Sequence, residues 1–148
     1  MIRNPMLAAA LALASLLSAH GAKGPSTRLP SKLIQTKSGL KYTDLVEGTG
    51  PSPKVGQGCV VEYQGWVARG RRKGKLFVDS RARGYPAEFP FGVGRVIKGW
   101  DEGLATMKAG GRRLLVVPPA LGYNAREAGK DIPPGSTLIF ELELVALR

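Results

Sequence analysis

Residues 137–147, with the sequence TLIFELELVAL, carry the clearest structural pattern in the chain. Every second position is apolar, and these side chains fall on one face: Leu138, Phe140, Leu142 and Leu144. Glu141 and Glu143 fall on the opposite face. Alternation with a period of two predicts a β-strand with one face in the core and the other exposed to solvent. We therefore interpret the two glutamates as part of an exposed polar face rather than as an acid–base pair.

Further strands are predicted upstream of this one. The segments rich in β-branched, aromatic and aliphatic residues are 39–46, 59–67, 76–78, 87–91 and 112–117. Pro90 cannot donate a backbone hydrogen bond, so the strand that contains it is expected at an edge or a bulge. The chain has 20 Gly and 11 Pro, which favours short strands joined by turns over a helical bundle.

One segment alone has helical spacing. Trp100, Leu104 and Met107 recur at i, i+4 and i+7 and so share a face. Asp101 and Glu102 suit the positive end of the helix dipole, and the glycines at 110–111 are expected to stop the helix. The pattern predicts an α+β domain in which one short α-helix packs on an antiparallel sheet.

The length of 148 residues suits one domain, and a hydrophobic content of 43% is enough for a packed core. The chain has one Cys and one His, namely Cys59 and His20. A single Cys cannot close an internal disulfide or build a Cys-rich zinc site. If His20 is removed with the N-terminus, histidine-based nucleophilic catalysis and histidine-ligated metals are excluded as well. Cys59 opens an apolar stretch and is expected to be a buried, unreactive thiol.

Residues 1–21 have the features of a signal peptide. Arg3 precedes an apolar run at 6–17, and Ala19 and Gly21 are small residues at a cleavage site. A membrane anchor is the alternative, but a spanning helix needs about 20 apolar residues. We therefore predict a secreted or periplasmic protein, or one in an organelle lumen if the source is eukaryotic, without a stable membrane span after cleavage. Residues 22–37 are expected to form a flexible or extended lead-in, and 38–148 the folded domain.

The net charge is +11, from 22 Lys+Arg and 11 Asp+Glu, and it favours anionic partners. The densest basic run lies at 69–75. Because this run contains no aromatic residue for base stacking, we interpret it as a solvated hairpin loop and do not expect a nucleic-acid partner. No dinucleotide loop, phosphate loop or nucleophile elbow is present.

Four motifs then resemble one family. Residues 96–104, VIKGWDEGL, are very similar to the V-I-x-G-W-x-x-G-(L/V) signature of FKBP-type peptidyl-prolyl cis–trans isomerases. The segments 61–65 (VEYQG), 118–123 (PPALGY) and 132–144 (IPPGSTLIFELEL) also resemble that family. The similarities run in family order from about residue 39 to 147. The resemblance implies a curved antiparallel sheet wrapped around one short helix.

The same resemblance implies rotation about Xaa-Pro bonds, with no cofactor or metal. Its partners would be unfolded or flexible proline-containing polypeptides, and macrolide inhibitors as well. Ala87 stands where the macrolide-binding members carry an aromatic residue, so weaker inhibitor binding is expected. Two alternatives stay open: a non-catalytic module or chaperone that holds proline segments, and, less favoured, a nucleic-acid binder that uses the basic run.

The resemblance also assigns the site. Trp100 would floor the pocket under the proline ring, with Tyr63 and Phe140 as walls. Val96 and Ile97 precede the helix, and the backbone N–H of Ile97 would bond the ligand's carbonyl. Tyr123 would offer its hydroxyl, and Ile132 would close one rim. For Trp100, Tyr63 and Phe140, plain core packing is the alternative. For Tyr123, the alternative is a solvent-exposed tyrosine in a turn.

The segment 77–80 departs from the family's Phe-Asp-Ser-Ser. Without a gap, Phe77 takes the aromatic position and Val78 the Asp position; a shift by one restores Asp79 but puts Val78 in the aromatic position. A β-bulge could reconcile the two alignments. A pocket-shaping contact between Asp79 and Arg83 is expected from the resemblance only if Asp79 takes the family position. The run at 69–75 is also more basic than is typical, which favours acidic clients or another chain as partners.

Overall fold

The computed structural model describes residues 27–123 and 129–148, so the predicted signal peptide at 1–21 lies outside the described residues. The strands are β1 (Ile34–Gln35), β2 (Lys41–Val46), β3 (Gly58–Arg69), β4 (Arg72–Asp79), β5 (Ala87–Pro90), β6 (Arg112–Val117) and β7 (Leu138–Leu147). The helices are α1 (Ser80–Arg83) and α2 (Lys98–Leu104), with a 3-10 turn at Pro119–Leu121.

All the strand pairs are antiparallel, in the order β1-β2-β6-β7-β3-β4. The first part of β3 also pairs with β5, so the strand that contains Pro90 is an edge strand, as predicted. The α+β class with a curved antiparallel sheet and a short helix is confirmed. The four-residue helix α1 was not predicted. Within the described ranges, no helix is long and apolar enough to cross a membrane.

Strand β7 has the predicted buried face. Leu138, Leu142 and Leu144 are 0% exposed, and Phe140 is 2% exposed. The sequence predicted that the opposite face of β7 is exposed to solvent, but this face is partly buried. Ile139 on that face is fully buried in a second, smaller cluster. Because the outer face of the sheet also carries apolar contacts, the polar side chains beside Ile139 on that face are partly buried and form ion pairs.

The two glutamates of β7 show this effect. Glu141 pairs with Lys73 and with Arg112, the latter at 3.0 Å, and Glu143 accepts from Arg81 at 2.6 Å. The side chain of Glu141 is only 17% exposed. The expectation of an exposed polar face is therefore corrected: these carboxylates are structural ion-pair partners on the outer face.

Two glycines bring α2 close to the sheet. A Cβ at Gly99 would lie 2.7 Å from Val117 Cγ1, and one at Gly103 would lie 2.7 Å from Leu115 Cδ2. Contacts this short are sterically excluded, so only glycine permits the approach. The helix backbone therefore packs directly on β6, which places Trp100 against the concave face of the sheet.

The helix ends at Leu104, earlier than the predicted stop at 110–111. The Gly103 carbonyl accepts a hydrogen bond from Arg113 Nη1 at 2.9 Å, and the Met107 N–H turns to the carbonyl of Leu104. Arg113 is 4% exposed and also binds Asp44 through two nitrogens. The buried side chain of Arg113 thus binds the Gly103 carbonyl, which would accept a backbone N–H if the helix continued for another turn. Met107 is still buried, at 2% exposed.

The β3–β4 hairpin is tighter than predicted. Arg69 pairs with Arg72, so only two residues, Gly70 and Arg71, form the turn, and Gly70 has a φ of 61°. The basic run is therefore mostly strand rather than a long solvated loop. Its Lys73 side chain is 9% exposed, because its ammonium pairs with Glu141 and lies 4.1 Å from the Trp66 ring centroid.

The described part of the lead-in is extended and docked rather than flexible. Leu29 is buried, and its N–H donates to the Arg71 carbonyl at 2.9 Å. The Thr27 carbonyl accepts from the Lys73 N–H at 2.7 Å, and β1 pairs with β2. The packed unit therefore includes residues before the predicted boundary at 38, because Leu29 completes the outer apolar cluster.

Candidate functional site

Trp100 lies at the centre of a group of aromatic rings. Its ring centroid is 4.8 Å from that of Tyr63 and 5.4 Å from that of Phe140, both edge to face. Phe77 meets Phe140 edge to face at 5.8 Å. Such perpendicular contacts are the favoured geometry of aromatic pairs. The predicted floor and wall residues thus come from β3, α2 and β7 and meet in one place, and Phe77 from β4 joins them.

Between these rings lies a cavity of about 790 Å³. It is lined by Tyr63, Phe77, Val78, Ala87, Gly94, Arg95, Val96, Ile97, Lys98, Trp100, Ala120, Gly122, Tyr123 and Phe140. Seven of the predicted site residues are in this set: Tyr63, Phe77, Val96, Ile97, Trp100, Tyr123 and Phe140. Core packing and cavity lining are both true of Trp100 and Phe140, because each is buried on one side and faces the cavity on the other.

Gly65 leaves the space that the aromatic walls occupy. A Cβ at this position would lie 2.8 Å from Phe140 Cε1, 2.8 Å from Phe77 Cζ and 2.9 Å from Val78 Cγ1. Tyr63 and Gly65 are two residues apart on β3 and therefore lie on the same face. The Tyr63 ring is thus next to the space that Gly65 leaves open. The spacing Tyr-x-Gly at 63–65 therefore places one aromatic wall and makes room for another.

The loop before α2 is held by Asp101. Its two carboxylate oxygens accept the N–H groups of Gly92 at 3.0 Å and Gly94 at 3.1 Å. Asp101 lies in the first turn of α2, as predicted, and its carboxylate also positions a loop that lines the cavity. Glu102 likewise accepts from the hydroxyls of Thr36 and Ser38, each at 2.6 Å.

Ile97 directly precedes α2, and its carbonyl oxygen accepts the first hydrogen bonds of the helix. That carbonyl accepts from the N–H groups of Trp100 at 3.0 Å and Asp101 at 3.3 Å. The N–H of Ile97 makes no hydrogen bond to another residue of 27–123 or 129–148. A backbone donor is therefore available at the edge of the cavity.

Segment 77–80 contains a β-bulge in β4, as the two possible alignments suggested. Gly65 pairs with Val78 and Trp66 pairs with Leu76, so Phe77 is the extra residue. Phe77 and Val78 both line the cavity as a result. Each of the two alignments accounts for part of the segment, because the bulge brings two successive side chains to one side.

Asp79 does not line the cavity, and the contact with Arg83 does not form. Asp79 instead begins α1: it accepts from the N–H of Arg81 at 3.0 Å and of Ala82 at 3.3 Å, and from Gln64 Nε2 at 3.0 Å. The hydrogen bond from Gln64, together with the bonds from the helix N–H groups and the charge of Arg81, lowers the pKa of Asp79 below its usual range. Its carboxylate is already bound here, which is why it does not reach Arg83.

Arg83 and Ile132 lie beside the cavity rather than on its lining. The guanidinium carbon of Arg83 is 5.3 Å from the Tyr63 ring centroid and 4.3 Å from that of Tyr85. Arg83 therefore stacks on the outer aromatic residues. Ile132 is 9% exposed and packs in the core cluster that contains Trp100.

Sequence reasoning missed part of the site. Phe89 on β5 packs against the Trp100 ring, with centroids 5.8 Å apart, and supports the floor. Arg95 and Lys98 line the cavity and are exposed. Both flank the Val-Ile pair at 96–97, so their position next to that motif was the available signal.

The indole at the floor of the cavity is buried, since Trp100 is 5% exposed. The Trp100 indole nitrogen is shielded from solvent and has no hydrogen-bond partner within the described part of the chain.

Cys59 is 0% exposed, and burial, followed by the charge of Asp101, raises the pKa of its thiol. The prediction of a buried Cys59 is confirmed. Within 27–123 and 129–148, no group of three or more His, Cys, Asp or Glu side chains could hold a metal ion.

The site is thus a cavity with an indole floor and aromatic walls, on the concave face of an antiparallel sheet. The family model described as FKBP-type peptidyl-prolyl cis-trans isomerase matches residues 50–145. The chain is 44% identical over 110 residues to FK506-binding protein 1 of Dictyostelium discoideum, covering 74% of this chain and 99% of that protein.

A bacterial relative is similar to the same extent. The chain is 47% identical over 107 residues to the FK506-binding protein of Neisseria meningitidis serogroup B, covering 72% of this chain and 94% of that protein. The crystal structure of AtFKBP13 superposes with a TM-score of 0.72 at 38% identity, over 79% of this chain and 99% of that one. The chain belongs to the FKBP-type peptidyl-prolyl cis–trans isomerase family, and its enzymatic class is accordingly that of a peptidyl-prolyl cis–trans isomerase.

Proposed function

We propose that this isomerase accelerates rotation about Xaa-Pro bonds of exported, folding polypeptides, and that it does so in the aromatic cavity around Trp100. The observation that carries the proposal is the convergence of Tyr63 and Phe140 on Trp100, with Phe77 packed against Phe140. The proline ring would lie on the indole, in contact with these edges. The same chemistry supports macrolide inhibitors as competing ligands, with Ala87 offering them less contact than an aromatic residue.

The aromatic floor and walls of the cavity support a mechanism without a reactive side chain. Rotation about an Xaa-Pro bond is slow because the planar amide has double-bond character, with a barrier of about 20 kcal/mol. The planar form is the more charge-separated one, so an apolar cavity stabilises it less than water does and favours the twisted amide. Each tenfold in rate requires about 1.4 kcal/mol of such differential stabilisation.

Hydrogen bonding then orients the peptide. The N–H of Ile97 would donate to a carbonyl of the substrate, and the hydroxyl of Tyr123 would bind a second oxygen. Arg95 and Lys98 line the cavity and are exposed, so their charge lies on its solvent side and away from the buried indole. Binding, orientation and exclusion of water thus supply the rate enhancement together.

An isomerase assay on a short Xaa-Pro peptide tests the proposal. Phe140→Leu removes a wall ring and is expected to lower kcat/KM by about tenfold, which corresponds to about 1.4 kcal/mol. Phe91→Leu is the matched control: Phe91 is buried at 8% exposed but does not line the cavity. Tyr123→Phe tests the hydroxyl alone. Far-UV circular dichroism should be unchanged in all three variants.

Two results would count against the proposal. Equal losses in Phe140→Leu and Phe91→Leu would mean that core stability, and not the cavity, sets the rate. Binding of the peptide without acceleration would leave a module that only holds proline segments. The exported setting rests on the pattern at 1–21, and N-terminal sequencing of the mature protein tests it directly.

A further inference from the structure

A second groove lies along the β3–β4 hairpin. It has a volume of about 640 Å³ and is lined by Val67, Ala68, Arg69, Gly74, Lys75, Lys130, Asp131 and Pro133. On β3, Tyr63, Gly65, Val67 and Arg69 alternate on one face, and Val67 packs against the same core cluster as Tyr63 and Phe77. The cavity and the groove are therefore neighbouring parts of one strand face.

The groove is basic. Arg69, Lys75 and Lys130 stand against a single carboxylate, Asp131. The Asp131 carboxylate meets Lys75 at 3.4 Å, with side chains 52% and 69% exposed, so this pair is weak and leaves the positive field largely in place. Arg69 and Lys130 are both exposed.

The hairpin tip adds to that charge. Arg69 is the cross-strand partner of Arg72, and Arg72 is bridged in turn to Arg28 on the docked N-terminal segment. Like charges directly opposite each other destabilise a sheet. The facing pair Arg69 and Arg72 is therefore an unfavourable arrangement that an anionic partner would relieve.

The shape and the lining favour a polypeptide over a nucleic acid. Val67, Ala68 and Pro133 are the apolar residues of the lining, and none of the described residues that line the groove is aromatic, so stacked bases have no platform. Trp66 lies on the opposite face of β3, under Lys73. An extended peptide that follows β3 would meet the charges after leaving the aromatic cavity.

We propose that this groove is an extended substrate subsite, and that the isomerase favours proline segments with acidic residues several positions from the proline. The inference rests on the proposed use of the aromatic cavity. Arg69 is six residues from Tyr63 along β3, which corresponds to about 20 Å in an extended strand. The preferred acidic residues therefore lie about six residues from the proline, since an extended substrate has the same rise per residue.

Peptides with displaced glutamates test this spacing. One peptide carries only neutral residues around its Xaa-Pro bond; a second carries glutamates about six to eight residues from the proline, the expected distance of the groove. A third has the same composition with the glutamates next to the proline, and each charged design is made on both sides of the proline. Cis–trans exchange is measured by NMR exchange spectroscopy, at low salt and at high salt.

The distant glutamates are expected to raise kcat/KM by about three- to tenfold at low salt, and high salt should remove this gain. The adjacent glutamates should give no gain. Arg69→Glu/Lys130→Glu should abolish the gain without changing the rate on the neutral peptide. Lys54→Glu/Lys108→Glu makes the same change in net charge; Lys54 lies before the start of β3, at the opposite end from the groove, and this variant should keep the gain.

Each remaining outcome overturns a defined part of the account. Equal gains for near and distant glutamates, or equal losses in the two charge variants, would mean long-range steering by net charge and no subsite. If Arg69→Glu/Lys130→Glu abolishes binding of an oligonucleotide or of anionic vesicles while peptide kinetics are unaffected, the groove serves another partner. If the neutral peptide itself is not accelerated, the proposed function fails rather than the subsite.

Discussion

The substitution Gly65→Ala tests how tightly the aromatic walls are packed. The new Cβ would lie 2.8 Å from both Phe140 Cε1 and Phe77 Cζ, and 2.9 Å from Val78 Cγ1. Carbon atoms in proteins pack at about 3.5–4.0 Å, so all three side chains must withdraw by more than half an ångström. Overpacking of this kind costs about 1–3 kcal/mol, and all three displaced side chains line the cavity.

We therefore expect Gly65→Ala to lower both the free energy of unfolding and kcat/KM. The first is measured by urea denaturation and the second by the isomerase assay; a loss of 1–3 kcal/mol in transition-state binding is about five- to 150-fold in rate. Gly129→Ala is the matched control, because a Cβ at Gly129 would meet none of the other residues in 27–123 and 129–148 within 4 Å. A Gly65→Ala protein with wild-type kcat/KM and wild-type stability would refute the reasoning that this glycine makes room for the walls.

Three further results are expected. Asp101→Asn removes one of the two acceptors that hold the loop at Gly92 and Gly94, so kcat/KM should fall by about fivefold, as for the loss of one hydrogen bond, while the sheet stays folded by circular dichroism. Because the folded-state pKa of Asp79 is depressed, its stabilisation is present above the unfolded pKa of about 3.9 and is lost as the pH falls through the folded value. The stability difference between wild type and Asp79→Asn, measured by denaturation across pH, should thus be largest near neutrality and vanish in strong acid; a constant difference contradicts it. Cys59, fully buried and with a raised pKa, should not react with a thiol reagent until the protein is unfolded, and fast labelling of the native protein would contradict this expectation.

The strands and the central helix could be predicted because their residues follow local periodicities. The apolar face of β7 and the i, i+4, i+7 spacing from Trp100 both read directly from side-chain directions. The aromatic residues of the cavity followed from a resemblance, and the structure brings them together. Their convergence itself depends on the register between β3 and β7, where Gly65 faces Phe140, and no local pattern specifies that register.

The errors have a common physical origin in long-range contacts. The outer face of β7 was expected to be exposed because nothing in that strand shows that Leu29 covers its neighbour Ile139. The helix ended early because a distant side chain, Arg113, takes the Gly103 carbonyl. Asp79 does not line the cavity, because its carboxylate accepts hydrogen bonds from Gln64 and from the first turn of α1.

The most direct measurement of the central claim is NMR of the protein with a neutral Xaa-Pro peptide, which reports both the exchange rate and the place of binding. The account predicts cis–trans exchange that accelerates in proportion to protein concentration, together with nuclear Overhauser contacts between the proline ring and the Trp100 indole. Acceleration with the proline ring in contact with another part of the surface, or contact with Trp100 and no acceleration, would contradict it.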